Sequence, residues 1–323
     1  MKEKQSFKDA LFSSPGPKNI QEAFYLFIKG LCMGTADVVP GVSGGTIAFI
    51  TGIYHQLLAS ISSFDGKLLA RILKGELLEA IALVHWRFLM PLLLGICTAI
   101  LSTTRLMHYL MKNHSELTWS LFFGLTLASI QILLMSNKKG WKKQDLLTLI
   151  ISTTAAYFLV GLMPKTTPHH LWFIFVSAMI SICAMILPGI SGAFILLVLG
   201  KYQFITGHLK NPFNLEAMQV IAVFSLGAFV GLVSFSKILK WLLSCHTNLT
   251  LAALTGMMMG SLRKVWPWKE DLMVTIINGK EHVLAQRNLL PDFSNKVTLT
   301  ALSLMIAGYV LIISMEKFAR LKK

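Results

Sequence analysis

The sequence predicts an all-α integral membrane protein made of two inverted-topology repeats, each a re-entrant helical hairpin followed by three transmembrane helices. Three observations carry this expectation. Hydrophobic residues make up 54% of the chain and charged residues only 14%, a balance outside the usual range of soluble domains. Six apolar runs approach the roughly 20 residues that a bilayer-spanning helix needs. The stretch DVVPGVSGGT at 37–46 returns as MILPGISGAF at 185–194, so a proline, glycines and a serine interrupt two further apolar stretches at the same relative place.

In chain order, residues 1–21 are charged and polar and read as an N-terminal tail. The apolar run behind them lacks a small-residue cleavage site, so no removable signal peptide is expected. The first repeat covers 22–163. Its opening stretch, 22–61, is broken in the middle by the motif. Each half is too short for a full span, and the two read as half-helices of a hairpin that enters and leaves by one side. An amphipathic insert, 62–87, follows and is expected on the inner membrane surface. Spans are expected at about 88–110, 117–136 and 145–163. The second repeat, 168–316, opens with a hairpin over 170–208. It continues with spans at about 218–243, 248–262 and 297–315, the middle one short. A basic tail, 317–323, closes the chain. Tryptophans at 86, 119, 141, 172, 241, 266 and 268 fall at ends of these segments, as rings that prefer the headgroup layer should.

A shift of 148 positions aligns Ala36, Pro40, Gly41, Ser43, Gly44, Ile47, Gly52 and Tyr54 with Ala184, Pro188, Gly189, Ser191, Gly192, Ile195, Gly200 and Tyr202. Farther on, a shift of 132 aligns Gly95, Ser102, Gly124 and Ser129 with Gly227, Ser234, Gly256 and Ser261, and sets Arg105 opposite Lys237. The chain therefore reads as a tandem duplication whose first half holds extra residues between 62 and 87. Because each half has three spans, an odd number, the second inserts upside down. With the N-terminus in the cytoplasm, most of the 30 basic residues lie inside, including the cluster KKGWKK and the tail KFARLKK, which is the positive-inside bias. The long outer loop, 263–296, balances its basic residues with Glu270, Asp271, Glu281 and Asp292. Inverted repeats with broken helices are an architecture of secondary transporters.

Other classes fit less well. The net charge of +15 forms no continuous basic arm, so no nucleic-acid partner is expected. Cys32, Cys97, Cys183 and Cys245 show no CxxC pair or metal-ligand spacing and read as small buried hydrophobes. The histidines include no HExxH, and no metal or other cofactor is expected.

Irregular backbone at membrane depth leaves polar groups unpaired, so it persists only where it lines protein or a watery cavity. Proline ends the incoming half-helices at Val39 and Leu187, and glycines let the backbone turn and approach a ligand. Ser43 and Ser191 stand at the N-cap positions of the returning half-helices, with Thr46 one turn deeper. Free N–H groups and the positive helix end then point at the membrane centre, which suits phosphate. The expected phosphate-binding residues are Gly41, Ser43, Gly44, Gly45 and Thr46, with Gly189, Ser191 and Gly192. Arg105 and Lys237 are either relays for the phosphate or snorkelling anchors, and Lys201 is open to the same two readings. Small residues could also serve close helix packing alone. Asp37, whose counterpart is Met185, is the one acid in a motif. It is expected to couple transport to protons or sodium, or else to cap nearby N–H groups.

These residues resemble a known family. KGLCMGTADVVPGVSGGTIAFITGIY from Lys29 to Tyr54, with CAMILPGISGAFILLVLGKY from Cys183 to Tyr202, is similar to the polyprenyl-phosphate transporter family, and hydropathy and length agree along nearly the whole chain. The resemblance implies a flippase of the bacterial cytoplasmic membrane. It would return undecaprenyl phosphate, the carrier lipid of envelope and peptidoglycan synthesis, from the outer to the inner leaflet for reuse. In the second motif Ala193 and Phe194 replace the Gly-Thr of the first, which removes a hydroxyl. An ion-coupled carrier of a small soluble anion would use the same pocket. An undecaprenyl-diphosphate phosphatase shares duplicated re-entrant segments, but there an arginine follows the serine and glutamates supply acid and base. Here Gly44 follows Ser43 and neither hairpin has paired glutamates, so an enzyme is not expected.

Overall fold

The computed structural model describes residues 13–38, 43–136, 140–165, 167–210, 212–277 and 280–321. Among them the chain forms fourteen helices and one β-hairpin. In the first half these are α1 (Ile20–Val38), α2 (Gly44–Ile50), α3 (Tyr54–Ser62), α4 (Gly66–Leu73), α5 (Leu77–Leu83), α6 (Trp86–Asn113), α7 (Ser115–Ser136) and α8 (Lys143–Leu159). The second half holds α9 (Leu171–Ile186), α10 (Gly192–Val198), α11 (Tyr202–Lys210), α12 (Leu215–Cys245), α13 (Thr247–Val265), β1 (Lys269–Ile277), β2 (Lys280–Asn288) and α14 (Lys296–Leu321).

By length and composition α6, α7, α12 and α14 can each cross a membrane, and α10 with α11 makes a fifth candidate bent by 110°. Of the other two expected spans, α8 has only 17 residues and α13 ends on Arg263 and Lys264. Large apolar side chains such as Leu94, Leu101, Phe158, Phe229 and Ile306 stand exposed on the outer faces of the helices, an excess that marks a lipid-facing surface. The same geometry corrects the reading of the cysteines. Cys32, Cys97 and Cys245 are exposed and Cys183 is half-buried, because they sit on helix faces turned away from the core.

Four helix pairs hold the bundle, and glycines bring each pair together. Gly30 and Gly34 of α1 lie against Leu92 and Ile96 of α6, and Gly227 and Gly231 of α12 lie against Phe175 and Met179 of α9. Gly256 and Gly260 of α13 meet Leu149 and Thr153 of α8, while Gly124 of α7 meets Met305 of α14 and Tyr309 on α14 bonds Gln131 on α7. In every pair the residue numbers rise together, so the two helices run the same way. A side chain at these glycines would hold the backbones apart. The repeat-related glycines Gly95 and Gly227 both press on the hairpin's first arm, at Phe27 and Phe175. Gly124 and Gly256, also repeat-related, press on helices of the other half. Between the pairs, α7 and α13 are antiparallel: the Phe123 and Trp266 rings meet at 5.5 Å at one end, and Ile130 and Leu133 cluster with Met258 and Leu251 at the other.

The insert forms α4 and α5. Asp65 caps α4 by accepting from the N–H groups of Lys67 and Leu68, and Arg71 pairs with Glu76 and Glu79. Ile72, Leu73, Leu77 and Leu83 remain exposed. The loop between α13 and α14 carries the β1–β2 hairpin, an element that the all-α expectation lacked; its strands pair antiparallel from Lys269↔Asn288 to Ile277↔Lys280.

Candidate functional site

α9 ends at Ile186, just short of its motif proline, which pushes the preceding Leu187 out of the helical region, and α1 is described as far as Val38. Val39, Pro40, Gly41 and Val42 lie outside the described residues, so the expected ligand Gly41 is not placed. Ser43 is the N-cap of α2 in an extended conformation, and its Oγ accepts from the Gly45 N–H at 3.1 Å. Ser191 caps α10 in a similar backbone conformation but makes no side-chain capping bond. There Ser181 Oγ instead donates to the Gly192 carbonyl at 2.8 Å.

The two motifs touch. A helix leaves its last carbonyls without partners, and at α9 the first hairpin supplies them. Ser43 Oγ donates to the Met185 carbonyl at 3.0 Å, with the Leu187 carbonyl a second acceptor at 3.3 Å. Tyr54 Oη, on the fully buried ring of α3, donates to the Ile186 carbonyl at 3.1 Å. In return the Gly189 N–H donates to Thr46 Oγ1 at 3.0 Å. Gly45 and Gly189 leave no room for a side chain. A Cβ on Gly45 would stand 2.5 Å from the Ile186 carbonyl oxygen, and Gly189 has a φ of +90° with a Cβ position 2.8 Å from Ser261 Oγ. Ser43, Thr46 and Ser191 are all buried here.

The expectation of free N–H groups at the first motif is not met. The Gly44 N–H donates to Asp37 Oδ1 at 2.7 Å, the Gly45 N–H to Ser43 Oγ and the Thr46 N–H to the Ser43 carbonyl at 2.9 Å. The reason is local. Asp37 sits in the last turn of α1, facing the start of α2, and its carboxylate takes the place that the positive end of a helix offers to an anion. Arg105 and Lys237 are exposed on α6 and α12, and no described contact joins either to the junction. Lys201 is neither anchor nor relay in this arrangement. It is fully buried, with Nζ 2.9 Å from the Thr167 carbonyl and 3.1 Å from His169 Nδ1, where it ties the second hairpin's end to the loop before α9.

A cavity of about 430 Å³ opens beside the second motif, between the end of α8, α10, the end of α13 and the β-hairpin. Arg263, Lys264, Lys269 and Arg287 line it, with Phe194 and Tyr157 among its ring walls, and none of the described lining residues is acidic. Phe194 is the residue that replaces Thr46 under the repeat. Sequence reasoning missed this cluster, because its basic residues come from three elements that only the fold assembles.

Comparison with known proteins bears on both features. A family model described as undecaprenyl phosphate translocase-like matches residues 33–283, a stretch that takes in both motifs and most of the cavity wall. A Vibrio cholerae serotype O1 protein named polyprenyl-phosphate transporter is 43% identical over 301 residues, 91% of this chain and 96% of that protein. A Staphylococcus aureus protein of the same name is 31% identical over 271 residues, 77% of this chain and 91% of that one. No solved structure matches the chain. The family match spans well over half of the sequence, and the chain belongs to the undecaprenyl phosphate translocase-like family.

Proposed function

We propose that this protein is a flippase, not an enzyme, that carries undecaprenyl phosphate from the outer to the inner leaflet of the bacterial cytoplasmic membrane, with both termini in the cytoplasm. The observation that carries the reading is the buried contact between motifs from opposite halves. A contact made of exchangeable hydrogen bonds is what a phosphate can replace. Ser43 and Thr46 hydroxyls and the Gly44 and Gly189 N–H groups, now paired with one another and with Asp37, become the ligand donors. Ser191, Gly192 and Gly45 shape the same turn, and Gly41 belongs to it by sequence. Displacing Asp37 from Gly44 frees a carboxylate at membrane depth, where taking up a proton or a sodium ion costs less than remaining bare. That is the proposed coupling.

The inverted arrangement is supported by helix direction. α7 and α13 are equivalent under the repeat yet antiparallel, and α8 and α14 follow them because α8 runs with α13 and α14 with α7. Among the described residues the junction's hydrogen bonds include no histidine and no second carboxylate, which leaves phosphate hydrolysis without the acid–base pair it needs. An asymmetry between the halves fits a state open to one side. α3 rests on α12, with Lys240 Nζ 3.5 Å from Ser62 Oγ on the inner side, whereas the equivalent pair, α11 and α6, makes almost no contact. In the proposed orientation the packed side is the inner one and the cavity lies on the outer one.

The test is reconstitution in liposomes, following leaflet exposure of undecaprenyl phosphate beside uptake of soluble phosphate. Ser43→Ala and Thr46→Val are expected to slow lipid transfer, and Asp37→Asn to remove its dependence on pH or sodium. Transfer of soluble phosphate alone, or release of inorganic phosphate from the diphosphate lipid, would replace this reading with a soluble-anion carrier or a phosphatase.

A further inference from the structure

We infer that the cavity between α8, α10, α13 and the β-hairpin is a receptor for a phosphate monoester, holding the headgroup on the outer side before it reaches the motif junction. Four basic residues line this cavity and, among the described residues, no acid does. Each cation is placed by a specific device. The Arg263 guanidinium lies 4.4 Å from the Tyr157 ring centroid and donates to the Tyr157 carbonyl at 2.9 Å. Gly161 makes the room, since a Cβ there would stand 2.5 Å from Arg263 Nη1. Lys269 Nζ sits 3.8 Å above the Trp119 ring and donates to the Lys264 carbonyl. Arg287 is bound at the rim to Glu270. Lys264 Nζ faces the Phe194 ring at 5.2 Å and has no ion pair among the described residues.

Such a cluster is short of negative charge. Cations held together in a partly buried site repel one another, and an anion that fills the space relieves the repulsion. Arginine adds a planar fork matched to phosphate oxygens. Burial first, and the Lys264 ammonium second, push Lys269 down to about 6, with the Asp271 carboxylate opposing them. The volume suits a small ligand. The remaining wall includes Val160, Leu162, Met163 and Leu197, an apolar lining for the first units of a hydrocarbon tail. Phe194 joins the cavity to the first turn of α10, so the headgroup here is one step from the second motif.

The inference rests on the proposed function for the identity of the tail, not for the phosphate. The test uses the full-length protein in detergent, titrated with a short-chain polyprenyl phosphate, inorganic phosphate and the uncharged polyprenol. The lipid phosphate is expected to bind and inorganic phosphate to compete more weakly, while the alcohol does not bind. Arg263→Gln and Lys264→Gln should each weaken binding by about tenfold or more, as removal of a charged hydrogen-bond partner does. The distant Lys67→Gln should bind as the parent does. Should the glutamine variants fail to stay monodisperse, amine labelling of Lys264 in the unmodified protein replaces them, and added phosphate is expected to slow it. Parent-like binding by both folded glutamine variants, or labelling indifferent to phosphate, overturns the site. Inorganic phosphate binding as tightly as the lipid overturns the lipid part. Transport that persists without binding here removes the receptor and leaves the proposed function intact, whereas binding here without transport does the reverse.

Discussion

Thr46 Oγ1 accepts the Gly189 N–H in a region where neither group meets water, so this single bond can be tested without changing shape. Thr46→Val keeps the volume and removes the acceptor. An orphaned buried N–H costs about 1–3 kcal/mol, and the variant should show a lower thermal midpoint in detergent, while Thr46→Ser should stay near the parent. An unchanged midpoint for Val would mean that the two motifs are not joined here. Lys269 supports a prediction of another kind. The charged groups around it are Arg263 and Lys264 on α13, Glu270 and Asp271 on β1 and Arg287 on β2, and α7 contributes the Trp119 ring. With its ammonium pushed down to about 6, Lys269 is mostly neutral at neutral pH in the empty cavity. A bound anion favours the charged form, so binding takes up a proton and tightens as pH falls toward 6. The phosphate's own second ionisation, near 6, acts in the opposite direction. Comparison with Lys269→Met separates the two: the parent should lose affinity more steeply than the variant as pH rises from 6 to 8.

At the scale of elements, the glycine pivots make the most direct claim. Gly124 and Gly256 have no room for a Cβ against Met305 and Ser152. Gly124→Val and Gly256→Val should each destabilise by the roughly 1–3 kcal/mol typical of overpacking. Gly207→Ala on α11, with nothing within 4 Å, should be neutral or slightly stabilising. Thermal unfolding of the purified variants reads this, and equal behaviour of Gly124→Val and Gly207→Ala would mean that α7 and α14 do not meet there. These same glycines were visible in the sequence as repeat-aligned positions, because a duplication preserves close packing sites. Their partners were not visible, since α7 packs on α14 and α13 on α8, contacts that cross between halves and leave no local pattern. The motif hairpins could be read for the opposite reason: proline and glycine act on their own neighbours. The β-hairpin had a local signal too. Val274–Ile277 followed by Asn278-Gly279 is a β-branched run before a favoured hairpin turn, but it lies in a loop between spans where no strand was sought. Capping by Asp37 was one of two roles open from its position, and only the distance to Gly44 selects it in this state.

For the whole molecule, the run directions determine which ends share a side of the membrane. α1 and α6 run together, as do α9 and α12, α8 and α13, and α7 and α14, while α7 opposes α13. The starts of α6 and α8 then share a side with the end of α12, consistent with Lys240 reaching Ser62 and with Ser14 bonding the first turn of α6 at the Arg87 N–H. The end of α13, the β-hairpin and the starts of α7 and α14 share the other, consistent with Lys269 over Trp119. The proposed orientation puts the basic clusters on the cytoplasmic side, because positive loops resist translocation. In a background lacking Cys32, Cys97, Cys183 and Cys245, single cysteines at exposed positions should react accordingly. Asn113→Cys and Asn295→Cys should label with an impermeant maleimide in intact spheroplasts. Lys67→Cys and Gln144→Cys should label only after permeabilisation. The decisive pair is Gln144 and Asn295, which lie at the starts of the repeat-related helices α8 and α14. Labelling of both from one side would mean that the two halves insert the same way up, and motifs entering from one face could not hand a phosphate from leaflet to leaflet.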